Sequence, residues 1–166
     1  MKKITIVDYG SGNVLSAQKS FAKIAKDNNI EADVLISKKL DDVKDSTHVV
    51  LPGQGAFSTC MNGLKKTDGL IDELCEFALI KKKPFLGICV GMQMLANISE
   101  ENGVHEGLGW IDGQIKLLPG DNLKLPHMGW NLAIPTNSKY NNLISNKNDY
   151  YFVHSYYFHC AKKDNI

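Results

Sequence analysis

PFLGICVGMQML, residues 84–95, passes from a strand-like run into a helix-like one with no loop between them. PFLGI is short and apolar, as a strand is, and GMQMLANI starts a helix at once. Cys89 lies midway between Gly87 and Gly91. That spacing is the one a nucleophile needs on a sharp strand-to-helix turn, where flanking glycines let neighbouring backbone pass without a Cβ clash. A cysteine placed there stands at a helix N-terminus, whose partial positive charge favours thiolate over thiol. The amide of Val90 is then free to point at a developing oxyanion. The competing reading is a buried structural cysteine, the common fate of a free thiol. Its place between two glycines at a strand–helix junction favours the reactive reading.

The pattern around this junction repeats. KITIVDY (3–9) reads as a strand ending at a Gly-Ser-Gly turn, and Asn13 to about Asn28 as a helix with Val14, Ala17, Phe21, Ile24 and Ala25 on one face. EADVLIS (31–37) and THVVLPG (47–53) read as strands, with DDVKDS (41–46) as a loop or short helix between them. Ala56 to about Lys65 is a weak helix. Residues 68–82 form a stronger one, with Leu70, Ile71, Leu74, Phe77 and Ala78 on its apolar face and Lys81 to Lys83 at its C-terminal end. Apolar strands alternating with amphipathic helices mean a parallel sheet with helices on both faces.

In such a sheet ligands bind beyond the C-terminal ends of the strands. Three strand ends carry unusual residues: DYGSGN (8–13), PGQGAF (52–57) and GICVG (87–91). Parallel strands place all three on one rim. Gly53-Gln54-Gly55 exposes backbone N–H groups suited to an anion, the second half of an oxyanion hole; a plain tight strand exit is the other reading. GSGN and GQGA lack the lysine and spacing of a phosphate loop, and DYGSGN lacks the third glycine of the dinucleotide fingerprint.

After residue 100, Gly103, Gly107, Gly109, Gly113, Pro119 and Gly120 break the chain into short pieces such as QIKLLP, NLAIP and YYFVHSYYF, which read as strands and hairpins. The polar tract 136–149 reads as an exposed loop around a short helix. The 166 residues suit one domain, and a net charge of +1 gives no reason to expect nucleic acid or a membrane surface. Cys60, Cys75, Cys89 and Cys160 include no CxxC pair, so zinc and thioredoxin chemistry are disfavoured, and the three besides Cys89 read as packing residues. The apolar run before Asp8 is too short for a signal peptide and no run approaches a membrane span, which makes a cytoplasmic protein with reduced thiols the expectation.

GICVGMQML, LPGQGAF, IVDYGSGN, GLGWIDGQI, PHMGWN and YFVHSYY occur in an order that resembles the glutaminase subunits of imidazole glycerol phosphate synthase, class I glutamine amidotransferases of histidine biosynthesis. The resemblance covers essentially the whole chain. It implies a flavodoxin-like three-layer α/β fold with a mostly parallel central sheet, in a single domain spanning 1–166. It also implies that Cys89 attacks the side-chain amide of glutamine, with the backbone amides of Val90 and Gln54 holding the oxyanion. Gly55, Gln93, Ser155 and Tyr156 match positions that hold glutamine in the family. Gln93 also falls one turn after Cys89, although a helix-surface role suits it too. Ser155 and Tyr156 alternate along a strand, so one of them also reads as a surface residue, and Trp130 fits core and interface equally. No cofactor and no metal are implied. The implied partner is a (β/α)₈-barrel cyclase that receives the ammonia in a heterodimer, with Gly10–Asn13 and Pro126–Asn131 on the side facing it. Another class I amidotransferase, or a non-catalytic homologue that only binds the cyclase, are the rival readings.

The family takes its base and its acid from a late segment resembling FHPE. The chain ends at Ile166 without it, so the domain is expected to be incomplete, with C-terminal strands missing and an exposed sheet edge. His127 and His154 match motif positions that are not the family's base. His48 lies at the far end of its strand from the rim. His105 falls in the glycine-rich stretch, and His159 has no acid two residues later.

Overall fold

The computed structural model describes residues 1–120, 124–134 and 148–162. They fall into two compact units, Met1–Leu95 and Ala96–Ile166.

The first unit is built on four parallel strands in the order β2-β1-β3-β4: β1 (Lys2–Val7), β2 (Ala32–Ser37), β3 (His48–Gly53) and β4 (Phe85–Cys89). Successive side chains of a strand point to opposite faces. Thr5, Ile6 and Val7 are all 0% exposed, so β1 is covered on both faces, as a parallel sheet requires. Thr5 stays satisfied there. Ser46 Oγ donates to the Asp42 carbonyl at 2.7 Å and lies 2.5 Å from the Thr5 hydroxyl, closing a polar knot beside α2 (Leu40–Lys44).

α1 (Val14–Asp27) is capped by Asn13, whose Oδ1 accepts from the Ser16 N–H at 3.1 Å. It packs on β1 and β2. Ala25 is buried, but Ile24, expected on the apolar face, is 58% exposed. It lies about 60° round the helix from Phe21, at the flank of the stripe.

α3 (Phe57–Lys65) buries Phe57, Cys60, Met61 and Leu64. The single helix expected over 68–82 is instead α4 (Leu70–Cys75) followed by a π-helical turn, Glu76–Ile80. Leu70, Leu74 and Phe77 are buried as the periodicity requires. The wider turn then rotates Leu79 and Ile80 out to the surface. Beyond it, Lys83 swings back over the Phe77 ring and donates to the Ser46 carbonyl at 2.8 Å.

The second unit has no helix among its described residues. β5 (Ile98–Ser99), β6 (His105–Glu106), β7 (Gly113–Leu117) and β10 (Tyr156–Cys160) form a mixed sheet in the order β10-β7-β5-β6. β8 (His127–Leu132) and β9 (Asp149–His154) form a separate antiparallel ribbon. The strand expected at NLAIP begins earlier, because pairing with β9 runs from His127 to Leu132. YYFVHSYYF, which reads as one run, bends at Ser155, so that its halves join different sheets. Of the tract 136–149, expected to hold a short helix, positions 136–147 lie outside the described residues. No described helix is long and apolar enough to cross a membrane.

Candidate active site

Cys89 closes β4 and opens α5 (Val90–Gln93) with φ 55° and ψ −119°. A non-glycine residue in that conformation stores about 1–3 kcal/mol of strain. The glycines on either side explain how it is held. A Cβ on Gly91 would strike the carbonyl oxygen of Leu51, and one on Gly87 would come within 2.6 Å of Met92 Cα. The chain therefore doubles back on itself and presses flat on β3, forcing the sharp turn that leaves Cys89 exposed.

α5 is shorter than expected. It stops after four residues, and Asn97 then exchanges hydrogen bonds with Gly113, its N–H to the Gly113 carbonyl at 3.0 Å and its Oδ1 from the Gly113 N–H at 2.7 Å. One turn carries little macrodipole, so the helix-end argument for a thiolate is weak here. What remains is local. Val90 is the first residue of α5, ahead of the first intrahelical hydrogen bond, so its N–H has no intrahelical acceptor.

Gly53 of β3 is the register partner of Cys89. The Gly53–Gly55 turn thus leaves the sheet directly beside the cysteine, and the three strand-end loops of the first unit meet there. Tyr9 donates its hydroxyl to the Pro52 carbonyl at 2.6 Å. Ser11 Oγ donates to the Gln54 carbonyl at 3.0 Å and accepts from the Gln54 N–H at 3.4 Å. Cys60 Sγ lies 3.2 Å from Ser11 Oγ and donates to the same carbonyl at 3.4 Å. The Gln54 amide is engaged by Ser11. Gly55 has φ 88° with open space where a Cβ would stand, so backbone conformation, not crowding, accounts for a glycine there.

Tyr9 and Ser11 lie in the DYGSGN strand end expected on the rim, but their bonds to the PGQG loop, and that of Cys60, had no counterpart in the sequence pattern. The Gly-Ser-Gly turn was the signal available for Ser11. Cys60 is buried as a packing residue should be, but it also bonds the loop. Burial, then the nearby Cys60, pushes the Tyr9 phenol far above its ordinary range, so it stays a neutral donor. All four cysteines are free thiols.

Gln93 is partly exposed on α5, four residues after Cys89. Ser155 and Tyr156 belong to the second unit. Ser155 sits at the bend, its carbonyl accepting from the Leu118 N–H at 2.9 Å, and Tyr156 opens β10, its carbonyl 2.9 Å from His154 Nδ1. Trp130 is 73% exposed on β8.

Residues 5–165 match the family model of the class I glutamine amidotransferases. The chain is 43% identical over 164 residues to imidazole glycerol phosphate synthase subunit HisH of Rhodospirillum rubrum, covering 96% of this chain and 76% of that protein. The HisH subunit of Pelagibacter ubique is 46% identical over 158 residues, 93% of this chain and 74% of its own length. HisH 1 of Campylobacter jejuni is 43% identical over 159 residues, 95% and 76%. The chain belongs to the class I glutamine amidotransferases and, within them, to the family of these HisH subunits.

Proposed function

We propose that this chain is a glutaminase subunit of imidazole glycerol phosphate synthase. It hydrolyses glutamine to glutamate and ammonia and passes the ammonia, in the cytoplasm, to a (β/α)₈-barrel cyclase subunit that makes imidazole glycerol phosphate. The observation that carries this reading is Cys89 at a strained strand–helix turn, in register with Gly53 at the mouth of the PGQG loop. The identity to HisH subunits supports the particular subunit.

In the proposed reaction the Cys89 thiolate attacks the side-chain amide carbon of glutamine and a C–S bond forms. The oxyanion is met by the Val90 N–H and, once it leaves Ser11, by the Gln54 N–H. The C–N bond breaks and the nitrogen leaves with a proton as ammonia. Water then cleaves the thioester, giving glutamate and restoring the thiol. Gly55, Gln93, Ser155 and Tyr156 are the proposed glutamine contacts. The only histidine in the first unit is His48, at the start of β3 and about 16 Å along the strand from Gly53. His48 is therefore not placed to serve Cys89 as a base.

A docking face for the cyclase is supported by one side of the β8–β9 ribbon. Met128, Trp130, Tyr151 and Val153 pair across it and are all exposed, an apolar patch of the kind that marks an interaction site.

The test is glutamate release from glutamine with the cyclase and its nucleotide ligand present. Turnover that disappears in Cys89→Ala supports the assignment. Cyclase binding without turnover would replace it with a non-catalytic partner role.

A further inference from the structure

His127 and His154 face each other across the β8–β9 ribbon, directly paired in register. His127 Nδ1 lies 3.3 Å from His154 Nε2, and His154 Nδ1 lies 2.9 Å from the carbonyl oxygen of Tyr156. Neither histidine is used in the chemistry described above.

While both rings are neutral, the acceptor at the end of this chain fixes the proton on each Nδ1. A carbonyl oxygen only accepts, so His154 Nδ1 carries hydrogen and donates to Tyr156. In the neutral ring His154 Nε2 is then an acceptor. His127 Nδ1 must therefore carry hydrogen and donate to it. The His154 ring is thus held in the Nδ1–H tautomer from both sides, by the Tyr156 carbonyl at Nδ1 and by the His127 donor at Nε2. The His127 ring is also stacked on Phe152, at 5.2 Å between centroids and 26° between planes, which holds the plane of the ring.

The far end of the chain is the bend at Ser155. Two consecutive carbonyls are anchored there, Ser155 by the Leu118 N–H and Tyr156 by His154. With both carbonyls tied, the peptides between β9 and β10 have a fixed orientation. We propose that His154 is a positioning residue for glutamine, acting through the Ser155 and Tyr156 peptides, and that His127 holds it in the tautomer able to do so. This rests on the reading that Ser155 and Tyr156 contact glutamine.

Two measurements on the full chain test it. Long-range ¹H–¹⁵N spectra at neutral pH read imidazole tautomers directly and should give Nδ1–H for both histidines. Calorimetric titration of glutamine, in a Cys89→Ala background that prevents turnover, should show binding weakened about tenfold in His154→Ala, the scale of one lost hydrogen bond. His154→Asn, which keeps a donor at the δ position, should restore most of it. His127→Leu should weaken binding and let His154 populate the Nε2–H form. His154→Gln keeps the bulk but moves the donor, and replaces His154→Ala should that variant not fold. An Nε2–H tautomer at His154 in the parent, or unchanged affinity in both His154→Ala and His154→Gln, overturns the proposal while leaving the glutaminase reading intact. Failure of the parent to bind glutamine overturns both.

Discussion

Tyr9 and Pro52 are joined by a 2.6 Å hydrogen bond from phenol to carbonyl, linking the loop after β1 to the end of β3. Because burial holds the phenol neutral far above its ordinary range, the bond persists throughout the working pH range. Tyr9→Phe keeps the ring and leaves the Pro52 carbonyl without this donor, a loss of about 1–3 kcal/mol. The expected result is a lower midpoint in urea unfolding with an unchanged slope. Glutaminase activity should fall further than stability alone explains, since Gln54 is two residues away.

Cys89→Gly separates folding from chemistry. Glycine accepts φ 55° without strain, so the variant should be more stable by about 1 kcal/mol, offset in part by the freer unfolded chain. Thermal unfolding should move up by about 2–4 °C, and glutamate release should vanish. A lower melting temperature would refute the strain assigned to Cys89.

His48 makes stability depend on pH. Burial, then the charge on Lys2, lowers its folded pKa below the ordinary 6.5. The unfolded chain therefore binds the proton first. The contribution of the neutral ring is fully present above 6.5 and declines as pH falls through 6.5 toward the lower folded value. His48 Nδ1 lies 2.8 Å from Thr47 Oγ1, whose own hydrogen goes to the Lys3 carbonyl, so Nδ1 is the donor. His48→Asn keeps a donor and does not titrate. The difference in stability between parent and variant should shift against the parent on moving from pH 7.5 to pH 5, as read by melting temperature.

β4 has a strand neighbour on one side only among the described residues, and Leu86 on it is 48% exposed. An apolar edge strand is a template for pairing with another copy. Dynamic light scattering of the chain alone should show association that rises with concentration. Leu86→Lys should suppress it without lowering the melting temperature.

The sheet of the first unit was legible because each of its strands is a compact β-branched or apolar run, and α1, α3 and the segment from Leu70 carry apolar stripes. The meeting of three loops on one rim followed from parallel strands alone. What could not be read were bonds between residues distant in sequence. Ser11 and Gln54 are 43 positions apart and Ser11 and Cys60 are 49, and no local pattern encodes those pairings. Local periodicity also failed where tertiary contacts interrupt it. Asn97 draws the chain into the second sheet and ends α5 after one turn. Ser155 divides an alternating run because its two halves find different partner strands. Of the candidate residues, Cys89, Gln54, Gly55, Val90 and Gln93 fall in one unit, and the backbone of that unit sets Cys89 beside the PGQG loop.

The packing of Gly91 on the Leu51 carbonyl, and of Gly87 on Met92, sets how this chain can change over generations. Every amino acid reachable from a glycine codon by one base change brings a Cβ, and at position 91 the obstacle is backbone, which no rotamer can clear. The nucleophile itself has freer neighbours in sequence space, since serine and glycine both fit its turn. A mutant library selected only for folding should therefore lose all variety at 87 and 91 while tolerating change at 89. In such a lineage the elbow would outlast the reaction it serves.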